Sequence, residues 1–306
     1  MLRFIGSRSL FIAFVCVLIV FFVHLGMRMI PNSDIAEPNF DVVSHGKAAW
    51  TDSKTYIFNI FHGELGSVNL DSGRYKVSEI LIFSYGNSMG LLLISLIFAT
   101  AIGVYIGAFT ALTKWQRLVL PLLTLTILGV STPSFFAGLL LQQGAISFYQ
   151  ETGTRLISMA GHGWDFQHLI LPVLVLMARP LAYLTRSTNL GLSQVMKENF
   201  ITTAYSKGLS KRYTVNVHAI LNMIVPALTA VGVSLRFSLS SLPVVEVFFA
   251  WPGMGLRMLE AINGRQTTLV VSLALAMGLT FLVINLILDI AYRIVDPRLR
   301  DTNGAV

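Results

Sequence analysis

Six long apolar stretches restrict what this chain can fold into. A bilayer-spanning helix needs about 20 predominantly apolar residues, and we place such spans at 10–29, 87–112, 118–142, 168–185, 219–245 and 268–295. These runs are much longer than the short alternating strands of a membrane β-barrel. We therefore predict an all-α polytopic membrane protein with six transmembrane helices.

The composition excludes ordinary soluble classes of protein. Only 12% of the 306 residues are charged, against about 25% in soluble globular proteins. The single cysteine, Cys16, rules out a disulfide within the chain. Arg3 and Arg8 precede the first span as in a signal peptide, but no small-x-small cleavage site follows it. We expect the first span to remain in the membrane.

The distribution of charge predicts the orientation. With both termini cytoplasmic, the inner segments carry twelve basic and three acidic residues, and the outer segments carry seven basic and eleven acidic residues. Basic residues concentrate in cytoplasmic loops, so this arrangement is favoured. The expected organisation is an N-terminal helix (1–30), an extracytoplasmic cap (31–86), a core of five spans (87–295) and a cytoplasmic tail (296–306).

The inner segment 186–218 predicts an amphipathic helix over about 193–209. Ser193 is a suitable N-cap, and Met196, Phe200 and Ala204 share one face at intervals of four residues. Gly208 is placed to end the helix in the left-handed conformation, with Leu209 as the accompanying apolar contact. Such a helix lies on the membrane, packs on its own bundle or docks a soluble partner, and the pattern alone leaves these alternatives open.

We find no catalytic, metal or cofactor site in the sequence. There is no phosphate-binding G-x-x-x-x-G-K-[ST] loop, no H-E-x-x-H and no G-x-S-x-G. Instead, prolines interrupt the apolar runs, at Pro133 in span three, Pro180 in span four and Pro226 and Pro243 in span five. Broken helices are tolerated at membrane depth where they line a cavity, which favours a transporting bundle over a static anchor.

Several segments resemble permease subunits of ATP-binding-cassette importers of the dipeptide, oligopeptide and nickel group. NFITTAYSKGL at 199–209 resembles the "EAA" loop of that family, and HGELGS at 62–67 resembles its outer-loop H-G-D-x-G stretch. The segments P-S-F at 133–135, E-x-x-x-x-W-P-G-M-G at 246–255 and N-x-x-x-D-x-x-Y-x-x-x-D-P-R at 285–298 also match in order. The N-terminus is similar to that of the first, "B-type" permease.

The resemblance implies a type I importer permease in a bacterial or archaeal plasma membrane. It would pair with a homologous second permease, two cytoplasmic ATPase subunits that bind ATP and Mg, and an external solute-binding protein; its other contacts would be with lipid, and none with nucleic acid. The implied ATPase-docking residues are Met196, Phe200, Thr203, Ala204, Lys207, Gly208 and Leu209. The implied pathway or gate residues are Pro133, Ser134, Phe135, Arg236 and Glu246.

The solute is not fixed by the resemblance, because a separate binding protein largely sets specificity in this family. Peptides are the first expectation, before nickel chelates, opines or small glycosides. Tyr205, where the family commonly has arginine, and Arg179, Arg236 and Pro243 depart from the family pattern. Arg236 lies deep in span five, where a charge is costly unless it faces a cavity or a partner, so we expect it to line the pathway or to form a structural ion pair.

An ion-coupled secondary transporter is the alternative class. Such transporters need midplane ion ligands and usually carry inverted repeats. Asp289 is the one carboxylate well inside a span, and the sequence has no internal repeat.

The orientation can be tested by labelling single cysteines in a chain without Cys16. Cysteines at Lys114, Lys207 and Arg298 should be accessible only from the cytoplasm, and those at Trp50 and Asp165 only from outside. The reason is the excess of basic residues in the inner segments. Labelling of position 207 from outside sealed cells would contradict six spans with both ends inside.

Overall fold

The computed structural model describes residues 2–30, 42–70, 73–113, 115–154, 157–158 and 160–295. Lys114, Arg298 and the predicted tail 296–306 lie outside these residues, as does the Asp-Pro-Arg end of the C-terminal motif. By their internal contacts the described residues fall into two compact units. The first unit draws on 1–88 and 252–286, and the second on 89–251 and 287–306.

Helices form nearly all of the described chain. In order they are α1 (Leu2–Met29), α2 (Val42–Phe61), α3 (Val77–Leu112), α4 (Gln116–Ser131), α5 (Ser134–Thr152), α6 (Phe166–Val195), α7 (Asn199–Ser206), α8 (Lys211–Tyr213), a π-helical segment (Thr214–Ala219), α9 (Ile220–Phe248), α10 (Met254–Asn263) and α11 (Thr267–Val295). Five of these helical stretches are long and apolar enough to cross a membrane, and α4 with α5 gives a sixth if the pair is counted as one span. The prediction of an all-α polytopic protein is confirmed.

The third span is broken at Pro133, so the interruption that the sequence predicts within 118–142 is confirmed. Helices α4 and α5 are bent by 112° relative to each other. Thr132 has an extended backbone, with ψ at 124°, and Pro133 follows it as the N-cap of α5. The residue before a proline is sterically pushed out of the α region, which accounts for the break.

The other prolines do not break their helices. Helix α6 continues through Pro172 and Pro180, and α9 continues through Pro226 and Pro243. The prediction that spans four and five are interrupted is therefore wrong. A proline removes one backbone hydrogen bond, and in α6 both prolines are buried, so packing holds the helix together around them.

In the first unit, the segment predicted to be an outer cap contains α2 and a short antiparallel hairpin. Strands β1 (Ser67–Leu70) and β2 (Gly73–Lys76) pair with Val68 opposite Tyr75. This hairpin was not predicted, because four-residue strands give almost no alternating pattern. Helix α2 is tied near its middle to the end of α1 by an ion pair between Asp52 and Arg28, whose Oδ2 and Nη2 are 2.6 Å apart.

Helix α2 is also fixed to α11. The Tyr56 hydroxyl lies 2.7 Å from Ser272 Oγ, and both side chains are buried. Val20 of α1 and Val271 of α11 complete this small apolar core. An acidic partner, Asp52, compensates the charge of Arg28 in the last turn of α1.

In the second unit, the backbones of α3 and α6 approach each other closely at two glycines of α3. A Cβ added at Gly103 would lie 2.9 Å from the Leu181 carbonyl oxygen, and one at Gly107 would lie 2.5 Å from that of Thr185. Glycines four residues apart allow two membrane helices to approach this closely. The main apolar core of the unit joins α3, α6 and α9 and includes Leu91, Leu176 and Leu242.

The glycine contact between α3 and α6 can be tested with Gly107→Ala. The added methyl group meets backbone atoms that cannot rotate away, so we expect a destabilisation of about 1–3 kcal/mol. Gly86→Ala on the same helix is the matched control, because nothing lies within 4 Å of its Cβ position. The measurement is thermal unfolding of the purified protein in detergent, and equal midpoints for the two variants would show that the close approach is unimportant.

Candidate functional site

The predicted docking helix is shorter than expected and starts later. Helix α7 covers Asn199–Ser206, with Glu198 as its N-cap. Ser193 lies inside α6, which extends to Val195, so the prediction that Ser193 begins the helix is wrong. Leu192 is buried in a core cluster with Ile201 and other apolar residues, and this packing extends α6 beyond the serine.

The end of α7 agrees with the sequence prediction. Gly208 has φ at 79°, the left-handed conformation. The Leu209 N–H donates to the Ala204 carbonyl at 3.2 Å, and the Gly208 N–H donates to that of Tyr205 at 2.9 Å. These bonds satisfy the last carbonyls of the helix. The Ser210 hydroxyl then accepts a bond from the Tyr213 N–H and caps α8.

The prediction that Met196, Phe200 and Ala204 form one apolar docking face is wrong. Ala204 is only 6% exposed, and it is buried together with Ile201 on the inner side of α7. Met196 lies before α7 and packs against the core cluster of Leu192 and Ile201. Two residues of α7 thus anchor the helix to its own chain.

The surface that α7 leaves exposed is polar with an aromatic ring on either side. Phe200 and Tyr205 are each 40% exposed. We call Phe200, Thr202, Thr203, Tyr205 and Ser206 the outer face of α7; all five are exposed. Of the other predicted docking residues, Lys207 and Gly208 are exposed and Leu209 is half-buried.

The loop after α7 is tied to the end of α3. Lys211 Nζ donates to the Leu112 carbonyl at 2.9 Å. A lysine at a helix C-terminus satisfies a free carbonyl and favours the negative end of the helix dipole. The next residues form the π-helical segment, in which Thr214 and Val215 are buried. The α7 region is therefore a fixed part of the second unit.

The predicted pathway residues separate in the structure. Pro133 and Ser134 form the junction between α4 and α5, and Phe135 is exposed beside it. Glu246 is only 1% exposed and lies near the end of α9. Arg236 is half-buried and already interacts with another group of the chain. A role of these residues in a pathway or gate stays a prediction.

Ser134 lines a cavity of about 380 Å³ together with Arg179 of α6. The cavity is bounded by α4, α5 and α6, and Ser241 of α9 completes its wall. Arg179 was noted in the sequence only as a departure from the family pattern. Its signal was a charged residue inside an apolar run, but the sequence did not place it beside the broken span.

The W-P-G segment after α9 is fixed by aromatic rings. Trp251 is fully buried, with the rings of Trp164 at 5.2 Å and His162 at 5.1 Å. The Gly161 N–H donates to the Phe249 carbonyl at 2.9 Å. The sequence did not indicate that the segment before α6 and the end of α9 meet in this way.

Together the long apolar helices and the broken span define a multi-pass membrane protein. Residues 99–301 match the family described as "Binding-protein-dependent transport system inner membrane component". The chain belongs to this family. It is a non-catalytic membrane subunit of an ATP-binding-cassette importer, a family that works with ATPase and solute-binding partners, and nothing supports the alternative of a secondary transporter.

Three relatives illustrate the similarity. The chain is 30% identical to the dipeptide transport system permease protein DppB of Escherichia coli (strain K12), over 83% of this chain and 82% of that protein. It is 31% identical to the glutathione transport system permease protein GsiC of Salmonella choleraesuis, over 80% and 78% of the two chains. A putative peptide transport system permease protein of Brucella abortus is also 31% identical, with the same coverage.

The two sides of α7 can be separated by paired substitutions. Ala204→Trp introduces a large ring at a buried position, and we expect it to destabilise the permease by about 1–3 kcal/mol or more. Thr203→Trp adds the same ring at the adjacent exposed position and should leave the unfolding temperature unchanged. Thermal unfolding of the isolated permease in detergent measures both. A stable Ala204→Trp variant would mean that α7 is not anchored through its inner side.

Proposed function

We propose that this chain forms half of the translocation pathway of a peptide importer. The observation that carries the proposal is the similarity, over about four fifths of each chain, to permeases named for dipeptide, glutathione and peptide transport. Glutathione is chemically a tripeptide, so the three names share one class of solute. A small peptide is thus the cargo that best fits these relationships.

The proposed complex contains four further subunits. A homologous second permease supplies the other half of the pathway, two cytoplasmic ATPase subunits supply energy, and an external binding protein delivers the peptide. ATP and Mg bind to the ATPase subunits, and this chain binds neither. Its own sequence supports this division, because it has no phosphate-binding loop.

We further propose that both termini and α7 are cytoplasmic. The support is the excess of basic over acidic residues in the segments assigned to that side. In this orientation the outer face of α7 is available to an ATPase subunit. A short helix with exposed aromatic rings suits a groove on a partner, where such rings often dominate the binding energy.

The contacts of α7 suggest how movement of an ATPase reaches the membrane. Its inner residues, Ile201 and Ala204, are buried, and Ile201 belongs to the same core cluster as Leu192 of α6 and Met223 of α9. A displacement of α7 therefore acts on two membrane helices directly, without a flexible linker. Closure of the ATPase pair on ATP would move these helices together, a rigid-body type of transition.

The docking proposal is tested with Phe200→Ala. Loss of an exposed aromatic anchor at an interface costs about 2 kcal/mol or more, so retention of the ATPase should fall by roughly 30-fold in affinity. Uptake of a labelled dipeptide by proteoliposomes containing the complete complex should fall in parallel.

The matched control is Phe58→Ala, which removes another exposed phenylalanine, on α2. That variant should bind the ATPase and transport normally. If Phe200→Ala retains the ATPase with unchanged affinity, the outer face of α7 is not the docking surface. If the unmodified complex imports no peptide, the proposed solute class is wrong.

A further inference from the structure

Arg179 occupies a position where a positive charge needs an explanation. It lies 13 residues after Phe166, the start of α6, which is about 20 Å along the helix at about 1.5 Å per residue. An arginine at this depth in a membrane is costly unless it faces a cavity or a partner group. The groups around Arg179 therefore indicate what its charge binds.

Within the described part of the chain, Arg179 forms no ion pair and no hydrogen bond. Its guanidinium carbon lies 6.0 Å from the centre of the Phe237 ring, an attractive but comparatively weak contact. Arg236 differs, because it already interacts with another group. The five N–H donors of its planar guanidinium are thus free of hydrogen bonds to the described residues.

Arg179 lines the cavity between α4, α5 and α6, which has a volume of about 380 Å³. Small-molecule sites typically measure about 300–1,000 Å³, so the space suits a solute of a few hundred daltons. Most of the wall is apolar, including Leu125, Ala137 and Leu140, and Arg179 is its one charged residue among those described. An apolar pocket with a single fixed charge is typical of a site that orients an amphipathic ligand.

Other donors lie on the same wall. Ser134 and Ser241 line the cavity, and neither hydroxyl bonds another described residue. Ser134 is also the first residue of α5, a helix of 19 residues. The first backbone N–H groups of a helix lack acceptors within it and carry a partial positive charge. In transporters, the N-termini of broken helices often point at anionic groups of the solute.

We propose that this cavity is a solute site in which Arg179, Ser134 and Ser241 bind a carboxylate and the leucine and alanine wall receives an apolar side chain. The inference rests on the proposed function, since it states which part of a peptide the permease itself holds. The planar guanidinium of an arginine can donate two parallel hydrogen bonds to a carboxylate. The low dielectric of the site strengthens these bonds.

The test compares the binding of two probes to the native complex and to two variants of Arg179. The probes are the dipeptide alanyl-phenylalanine and its C-terminal amide, and the protein is the complete complex in lipid nanodiscs without the solute-binding protein. We expect the native complex to bind the acid about tenfold more tightly than the amide, as suits a charge-assisted hydrogen bond. Arg179→Gln should bind both probes alike, and Arg179→Lys should keep most of the preference.

Uptake gives the second readout. With the solute-binding protein present, Arg179→Gln should lower the maximal rate of dipeptide import by roughly tenfold. Arg186→Gln, which removes a charge from an exposed position on the same helix, should import at the native rate.

An equal preference for the acid in the native and Arg179→Gln complexes would overturn the site. Loss of the second permease from the Arg179→Gln complex would also overturn it, because the arginine would then be a contact between subunits. If the native complex imports no dipeptide, the proposed function fails, and the comparison of acid with amide binding still decides the role of Arg179.

Discussion

Close packing around α6 is the constraint on which the second unit depends. Lipid tails solvate apolar side chains as well as another helix does, so membrane helices associate through backbone proximity and dispersion contacts. Gly103 and Gly107 bring α3 against α6, and a Cβ added at Gly129 of α4 would lie 3.4 Å from the Ala178 carbonyl oxygen and from Ala182 Cβ. On α9, Ala230, Ser234 and Ser238 are buried at intervals of four residues. Small residues on three helices thus hold α6 in place.

The position of α6 in turn fixes both functional regions of the unit. Near its middle, Arg179 lines the cavity beside the broken span. At its end, Leu192 belongs to the cluster that anchors Ile201 of α7. A rigid helix with both features links an event at the loop helix to the shape of the cavity. In the proposed mechanism, α6 is the element of this chain that couples ATP hydrolysis to transport.

The prolines show why a residue type alone does not decide the local structure. Thr132-Pro133 produces a bend of 112°, because Thr132 is extended and α5 begins again after the proline. Pro180 has the same chemistry but stays within a continuous helix. It is buried among helices that pack on both its preceding and following turns, so the loss of one backbone bond is tolerated.

The sequence by itself determined the class of architecture and the end of the loop helix. Long apolar runs leave a chain no alternative to membrane helices, and the left-handed Gly208 follows from local backbone sterics. Tertiary structure decided where α6 ends, which side of α7 is buried and which arginine meets the cavity. Ser193 is not a cap, because Leu192 packs in the core and α6 continues past it. Ala204 is buried on the same side of α7 as Ile201. These outcomes depend on contacts between segments far apart in the chain, and periodicity within one segment carries no information about them.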